Sequence, residues 1–135
     1  MFVAYVAGPY RSEAVYDIEQ NIQRAKRLAV ELWKRGYAVI CPHANSAFMD
    51  GACDDETFLE GGLELLRRSD FVVALNGWES SKGTRKELEL AESLGIPIYF
   101  EKELAKGVKL GGRGVAKEGD GISLRGQNMY TEGKE

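Results

Sequence analysis

Four short apolar runs divide the first hundred residues: "MFVAYVAG" (1–8), "YAVICPH" (37–43), "DFVVALNG" (70–77) and "IPIYF" (96–100). Each is continuous rather than alternating and rich in Val or Ile, the pattern of strands covered on both faces, which a parallel sheet requires. Between the first two runs, Ile18, Ile22, Ala25, Ala29, Leu32 and Trp33 recur at steps of three and four, predicting an amphipathic helix that Gly36 ends. Phe58, Leu59, Leu63, Leu65 and Leu66 predict a second helix, and Leu88, Leu90, Ala91 and Leu94 a third, stopped by Gly95 and Pro97. The order is β-α-β-α-β-α-β. With right-handed crossovers this is a three-layer α/β fold, a doubly wound parallel sheet of four to five strands in the Rossmann or flavodoxin-like class.

After Phe100 the pattern changes. Eight of the 16 glycines fall between Gly107 and Gly133, and apolar positions thin out. Residues 1–106 read as the α/β domain and 107–135 as a Gly-rich C-terminal extension, with a flexible loop over 107–121, a possible edge strand at "GISLRG" (121–126) and a mobile tail. "GGRGVAKEGDG" is no phosphate loop. No strong strand precedes it, no helix follows, and it lacks Gly-Lys-Ser/Thr.

Composition narrows the partners. A chain of 135 residues that is 44% hydrophobic and 29% charged is one ordinary globular domain, and a net charge of −3 argues against duplex nucleic acid. No apolar run is long enough to span a bilayer, and no basic stretch precedes the first apolar run as in a signal peptide, so a cytoplasmic protein is expected. Cys41 and Cys53 stand without a second pair, and His43 is the only histidine, so neither a zinc site nor a disulfide framework follows. No metal and no cofactor are expected. The two cysteines read as reduced thiols.

In an open parallel sheet, ligands bind beyond the carboxyl ends of the strands. The informative segments are therefore "GPYRS" (8–12), "PHANS" (42–46) and "NGWESSKG" (76–83). Helix N-termini offer free N–H groups and partial positive charge, so "GPYRS" and "SSKGT" (80–84) are each suited to an anion such as phosphate, and Arg11 adds a fork of donors. Candidate binding residues are Gly8, Pro9, Tyr10, Arg11, His43, Trp78, Ser81 and Gly83. Four of them have a plainer reading: Pro9 as turn punctuation, Arg11 as a solvated cation, His43 as a hydrogen-bonded loop residue, Trp78 as a core plug rather than a platform for a base. Asp70 reads as the end of the helix before strand three. Asp50, Asp54, Asp55 and Glu56 lack calcium-loop spacing and read as a solvated loop and first helical turn.

Glu87 is the sharpest ambiguity. Thr84-x-x-Glu87 has the spacing of a capping box, in which the Glu side chain reaches back to the Thr N–H. The same carboxylate lies near the mouth of a helix that faces the crevice.

"YVAGPYRS" (5–12), "PHANS", the block "LELLRRSDFVVALNGWESSKGTRKELELA" (63–91) and "GIPIYF" (95–100) together resemble the nucleoside 2-deoxyribosyltransferase-like superfamily, which includes deoxyribonucleoside 5′-monophosphate N-hydrolases. The Gly83-Thr84-x-x-Glu87 element is also similar to that of the Lonely Guy phosphoribohydrolases. The resemblance covers about residues 2–100, and its most specific piece is W-x-x-S-x-G-x-x-x-E. It implies that Glu87 is the nucleophile on the anomeric carbon, that Tyr5 holds that carboxylate, and that Arg11, Ser81 and Gly83 bind a 5′-phosphate.

It further implies a homodimer or higher homo-oligomer acting on a small nucleoside or nucleotide. The implied reaction is N-glycosidic cleavage of a (2′-deoxy)nucleoside 5′-monophosphate. The alternatives are base exchange by a nucleoside 2-deoxyribosyltransferase and nucleotide binding without turnover. One position departs from the pattern: the family commonly carries an Asp where this chain has Gly62. Glu60 or Glu64 of the same helix could reach the same space, or His43 could take over the proton.

Overall fold

The computed structural model describes residues 1–113. Its strands are β1 (Val3–Ala7), β2 (Ala38–Ile40), β3 (Phe71–Ala74) and β4 (Ile98–Phe100). They form a parallel sheet in the order β2-β1-β3-β4. The helices are α1 (Val15–Lys34), the single turn α2 (Pro42–Asn45), α3 (Asp55–Arg67), α4 (Lys82–Ser93) and the single turn α5 (Glu101–Leu104). The doubly wound parallel α/β fold expected from the apolar runs is the one observed, with four strands among the described residues. The strand order reverses at β1, which has β2 on one side and β3 on the other, so a crevice opens at the carboxyl ends of β1 and β3.

Two apolar layers cover the sheet. Ala4, Val6, Phe71, Val73 and Tyr99 pack with Ala25, Leu28, Ala29 and Leu32 of α1 and Leu104 of α5. Tyr5, Ala7, Val72, Ala74, Ile98 and Phe100 pack with Leu66 of α3 and Leu88 and Ala91 of α4. The alternation along β1 therefore sends Tyr5 toward α3 and α4.

Several local expectations are corrected. The second apolar run does not stay extended to His43, because Pro42 has no N–H for the ladder and instead opens α2. Trp33, assigned to the buried stripe, is 55% exposed on the outer face of α1. Asp70 does not cap the preceding helix. Its Oδ2 accepts the Val3 N–H at 2.7 Å while its own N–H donates to the Val3 carbonyl at 2.8 Å, tying the start of β3 to β1.

The start of the Gly-rich segment is packed rather than loose. Leu110, Gly111 and Gly112 are buried, and the Tyr99 hydroxyl both accepts from the Gly111 N–H at 2.8 Å and lies 3.2 Å from the Gly111 carbonyl. The rest of the expected loop, the possible edge strand 121–126 and the tail lie outside the described residues.

Candidate active site

Tyr5 is wholly buried in β1, and its hydroxyl donates to Glu87 Oε2 at 2.5 Å. A phenol from the central strand and a carboxylate from α4 thus meet across 82 positions of sequence. Both the partner and the strand were legible from the resemblance alone, not from spacing.

Glu87 is free to do this because it does not cap the helix. The N-cap is Ser81, whose Oγ accepts the Thr84 N–H at 3.2 Å and the Thr84 hydroxyl at 2.8 Å. Thr84 is therefore inside the helix, and Glu87 lies beyond the first turn, too late to serve a capping box. Thr84, Leu88 and Ala91 form the buried face of α4. Glu87 stands three and four positions from Thr84 and Ala91, so it shares that face.

This placement sets its acidity. Glu87 is partly buried, and desolvation raises its pKa to about 7, against the pull of the Tyr5 hydrogen bond, which lowers it. Burial, followed by the charge of Glu87, pushes the Tyr5 phenol far above its usual range, so it remains a donor. Tyr5→Phe leaves Glu87 buried without that donor. Because the lost bond favoured the carboxylate, the pKa of Glu87 is expected to rise further, read as an upward shift in a carboxyl NMR titration of residue 87. A donor to a charged group is worth about 1.5–3 kcal/mol.

The loop after β1 is held by residues from three elements. Gly8 is buried, and a Cβ there would lie 2.3 Å from Leu75 Cδ1. His43 Nε2 lies 3.1 Å from the Gly8 carbonyl and 2.9 Å from the Pro9 carbonyl, so Nε2 carries the proton and donates. Burial lowers the His43 pKa and keeps the ring neutral, while Nδ1 has no hydrogen-bond partner among the described residues. His43 thus fixes the loop that follows β1. Asn21 Nδ2 donates to the Tyr10 carbonyl at 3.1 Å, and the Tyr10 hydroxyl lies 3.3 Å from Asp50 Oδ1. Arg11 pairs with Asp55 Oδ1 at 3.1 Å, both side chains well exposed.

At the other rim, Ser81 and Gly83 open α4. The Ser81 oxygen accepts twice, and a Cβ on Gly83 would meet nothing within 4 Å. Trp78 is only 5% exposed and packs against Phe100 at 5.4 Å between ring centroids, which supports the core-plug reading over a stacking platform.

The structure therefore brings Tyr5 and Glu87 into direct contact and joins His43 to Gly8 and Pro9. It ties Tyr10 to Asp50 in the loop before α3 and Arg11 to Asp55 at the start of α3, and leaves Ser81 and Gly83 at an open helix end. Asn21, Asp50 and Asp55 were missed as partners of the loop; the acidic run at 50–56 was the available signal. No group of residues that would hold a metal occurs among the described residues, and no helix there is long and apolar enough to cross a membrane.

A family model described as a domain of unknown function (DUF7768) matches residues 2–101. The chain belongs to this family. No curated protein matches it. Among solved structures, the chain is similar to the 2-deoxyribosyltransferase of Bacillus psychrosaccharolyticus, described as a biocatalyst for nucleoside synthesis. The identity is 20% and the TM-score 0.56, over 73% of this chain and 70% of that one. It is also similar to a conserved protein from Enterococcus faecalis V583, at 25% identity and a TM-score of 0.52, and covers 74% of its own length but only 62% of that protein. The resemblance to the nucleoside 2-deoxyribosyltransferase-like superfamily holds in the fold.

Proposed function

We propose that the chain cleaves the N-glycosidic bond of a 2′-deoxynucleoside 5′-monophosphate, with Glu87 as nucleophile. The observation that carries this is the 2.5 Å hydrogen bond from the buried Tyr5 phenol to Glu87, at the switch point of the sheet. A carboxylate so held has one oxygen fixed and the other available to a sugar carbon.

Cleavage develops positive charge on the sugar, which a close carboxylate stabilises. Glu87 forms a bond to C1′ as the C1′–N bond breaks, and the base leaves with the bonding electrons and takes a proton from water. Water then attacks C1′, passes a proton to solvent and frees Glu87. A second base in place of water makes the same intermediate a deoxyribosyl transfer. A 2′-deoxy sugar forms the cation more readily than ribose, which suits a site with a single carboxylate.

Arg11 and the free N–H groups and hydroxyl at the start of α4 suit the 5′-phosphate. Arg11→Ala is expected to raise KM for monophosphates by about tenfold or more while changing free nucleosides little, since a charged hydrogen bond is worth about 1.5–3 kcal/mol. Its exposed pairing with Asp55 adds about 1 kcal/mol or less to stability, so the fold should be unaffected. Equal losses for both substrate classes would remove the phosphate role.

The test of the reaction is to incubate the protein with deoxy and ribo nucleosides and monophosphates, with and without an acceptor base, and to separate free base by chromatography. Base from deoxynucleotides is the expected product. Ligand binding with no base released over hours would instead favour a nucleotide-binding protein without turnover, a reading that Gly62, at the place of the family's acid, favours.

A further inference from the structure

A concavity of about 520 Å³ opens away from the Tyr5–Glu87 pair, between α1 and α5, where Asn76 and Glu101 line it at the carboxyl ends of β3 and β4. Its apolar part is Leu28 and Leu104, both buried in the layer that covers the α1 side of the sheet. Tyr5 packs in the layer on the other side, with α3 and α4. The sheet separates the two places.

Bonds that cross between elements fix the walls of this cleft. Glu101 Oε1 accepts the Asn76 N–H at 2.9 Å, and Arg24 Nη2 donates to the Asn76 carbonyl at 2.5 Å. Arg35 donates from Nε to Glu31 Oε2 at 3.1 Å and from Nη2 to the Leu104 carbonyl at 2.9 Å, which ties α5 to α1. Both carboxylates of the lining, Glu31 and Glu101, are therefore engaged. Two of its cations are not. Among the described residues, the exposed side chains of Arg27 on α1 and Lys102 on α5 have neither a hydrogen bond nor an ion pair.

We propose that this cleft is a second binding site, one for a small organic anion whose apolar body lies on Leu28 and Leu104 and whose acidic group is held by Arg27 and Lys102. Concavities of this size that are largely apolar, with a few polar groups on fixed walls, are the kind that take small molecules. The sign of the ligand follows from the lining, in which Arg27, Arg35 and Lys102 stand against Glu31 and Glu101 and leave one positive charge in excess. A neutral ligand would leave that charge unused, and a cation would be repelled by it. The site does not depend on glycosidic cleavage, because none of its residues belongs to the Tyr5–Glu87 crevice.

The test titrates single-ring probes into the isotope-labelled protein and follows its amide NMR signals. Phenyl phosphate and benzoate are the anions, benzyl alcohol the neutral control and benzylamine the cationic one. The anions are expected to shift the signals of Leu28, Asn76 and Lys102 with Kd of about 1–10 mM, the range for probes of this size, and the tighter of the two identifies the acidic group. Both controls should bind about tenfold more weakly or worse, and Arg27→Gln combined with Lys102→Gln should weaken the anions to the same degree. Arg11→Ala should leave the shifts in the cleft unchanged.

Shifts confined to residues 8–12 and 81–84 would mean that anions enter only the crevice, and would overturn the proposal. Benzyl alcohol or benzylamine binding as well as the anions, or anion affinity that survives the loss of Arg27 and Lys102, would overturn it too. Wild-type protein that releases no base from nucleotides would overturn the cleavage reading and leave these titrations untouched.

Discussion

Glu87→Gln is expected to lower base release by about a thousandfold or more while the protein stays folded, since removing a nucleophile usually costs several orders of magnitude. The amide keeps the shape of the side chain and an oxygen to accept from Tyr5. The helix does not depend on it, because Ser81 caps α4. A stability readout separates loss of chemistry from loss of fold, and its sign can be stated in advance. The pKa of Glu87 is raised to about 7 in the fold from an ordinary 4.5. Between those values the native state binds the extra proton, so wild-type stability falls as pH rises through that window and stays lower above it. Glu87→Gln removes this slope and should be the more stable protein at pH 8, by roughly 1–3 kcal/mol. Denaturation at pH 5 and pH 8 measures it. A variant with wild-type rates would end the nucleophile assignment.

Gly8→Ala is expected to destabilise the fold by about 2–3 kcal/mol, the cost of overpacking a core contact. The added Cβ would fall 2.3 Å from Leu75 Cδ1 and 2.9 Å from Leu75 Cβ. Leu75 is 1% exposed, so its side chain has little room to move, and its Cβ cannot move without the backbone that follows β3. The chain after β1 would have to lift, pulling the Gly8 and Pro9 carbonyls from His43. Denaturant midpoints should show the loss. Pairing it with Leu75→Ala should cost less than the two single changes added together, because the clash is then gone. Additive costs would place the strain elsewhere.

The fold was legible because its strands are short unbroken apolar runs and its helices carry regular stripes. The limits of that reading are equally physical. Strand ends were overestimated where Pro42 turned the chain into α2, and the α1 stripe was extended by one residue to Trp33, which the helix turns outward. Thr84-x-x-Glu87 matched a capping box in spacing, but spacing does not locate the first helical residue; Ser81, three positions earlier, took the N–H of Thr84. The Tyr5–Glu87 contact joins elements far apart in sequence, which no local pattern encodes, and it entered through the resemblance. The tethers of the β1 loop to Asp50, Asp55 and Asn21 depend on how α1 and α3 pack, and were invisible for the same reason.

The stereochemistry at C1′ tests most directly whether Glu87 attacks that carbon. Cleavage of a β-2′-deoxynucleoside 5′-monophosphate in water containing methanol traps the sugar as a methyl glycoside, whose anomer is fixed and readable by proton NMR. Two displacements through a Glu87-linked sugar give the β anomer, with net retention. Predominantly α product would mean that solvent attacks C1′ in a single step, and that Glu87 is not the nucleophile.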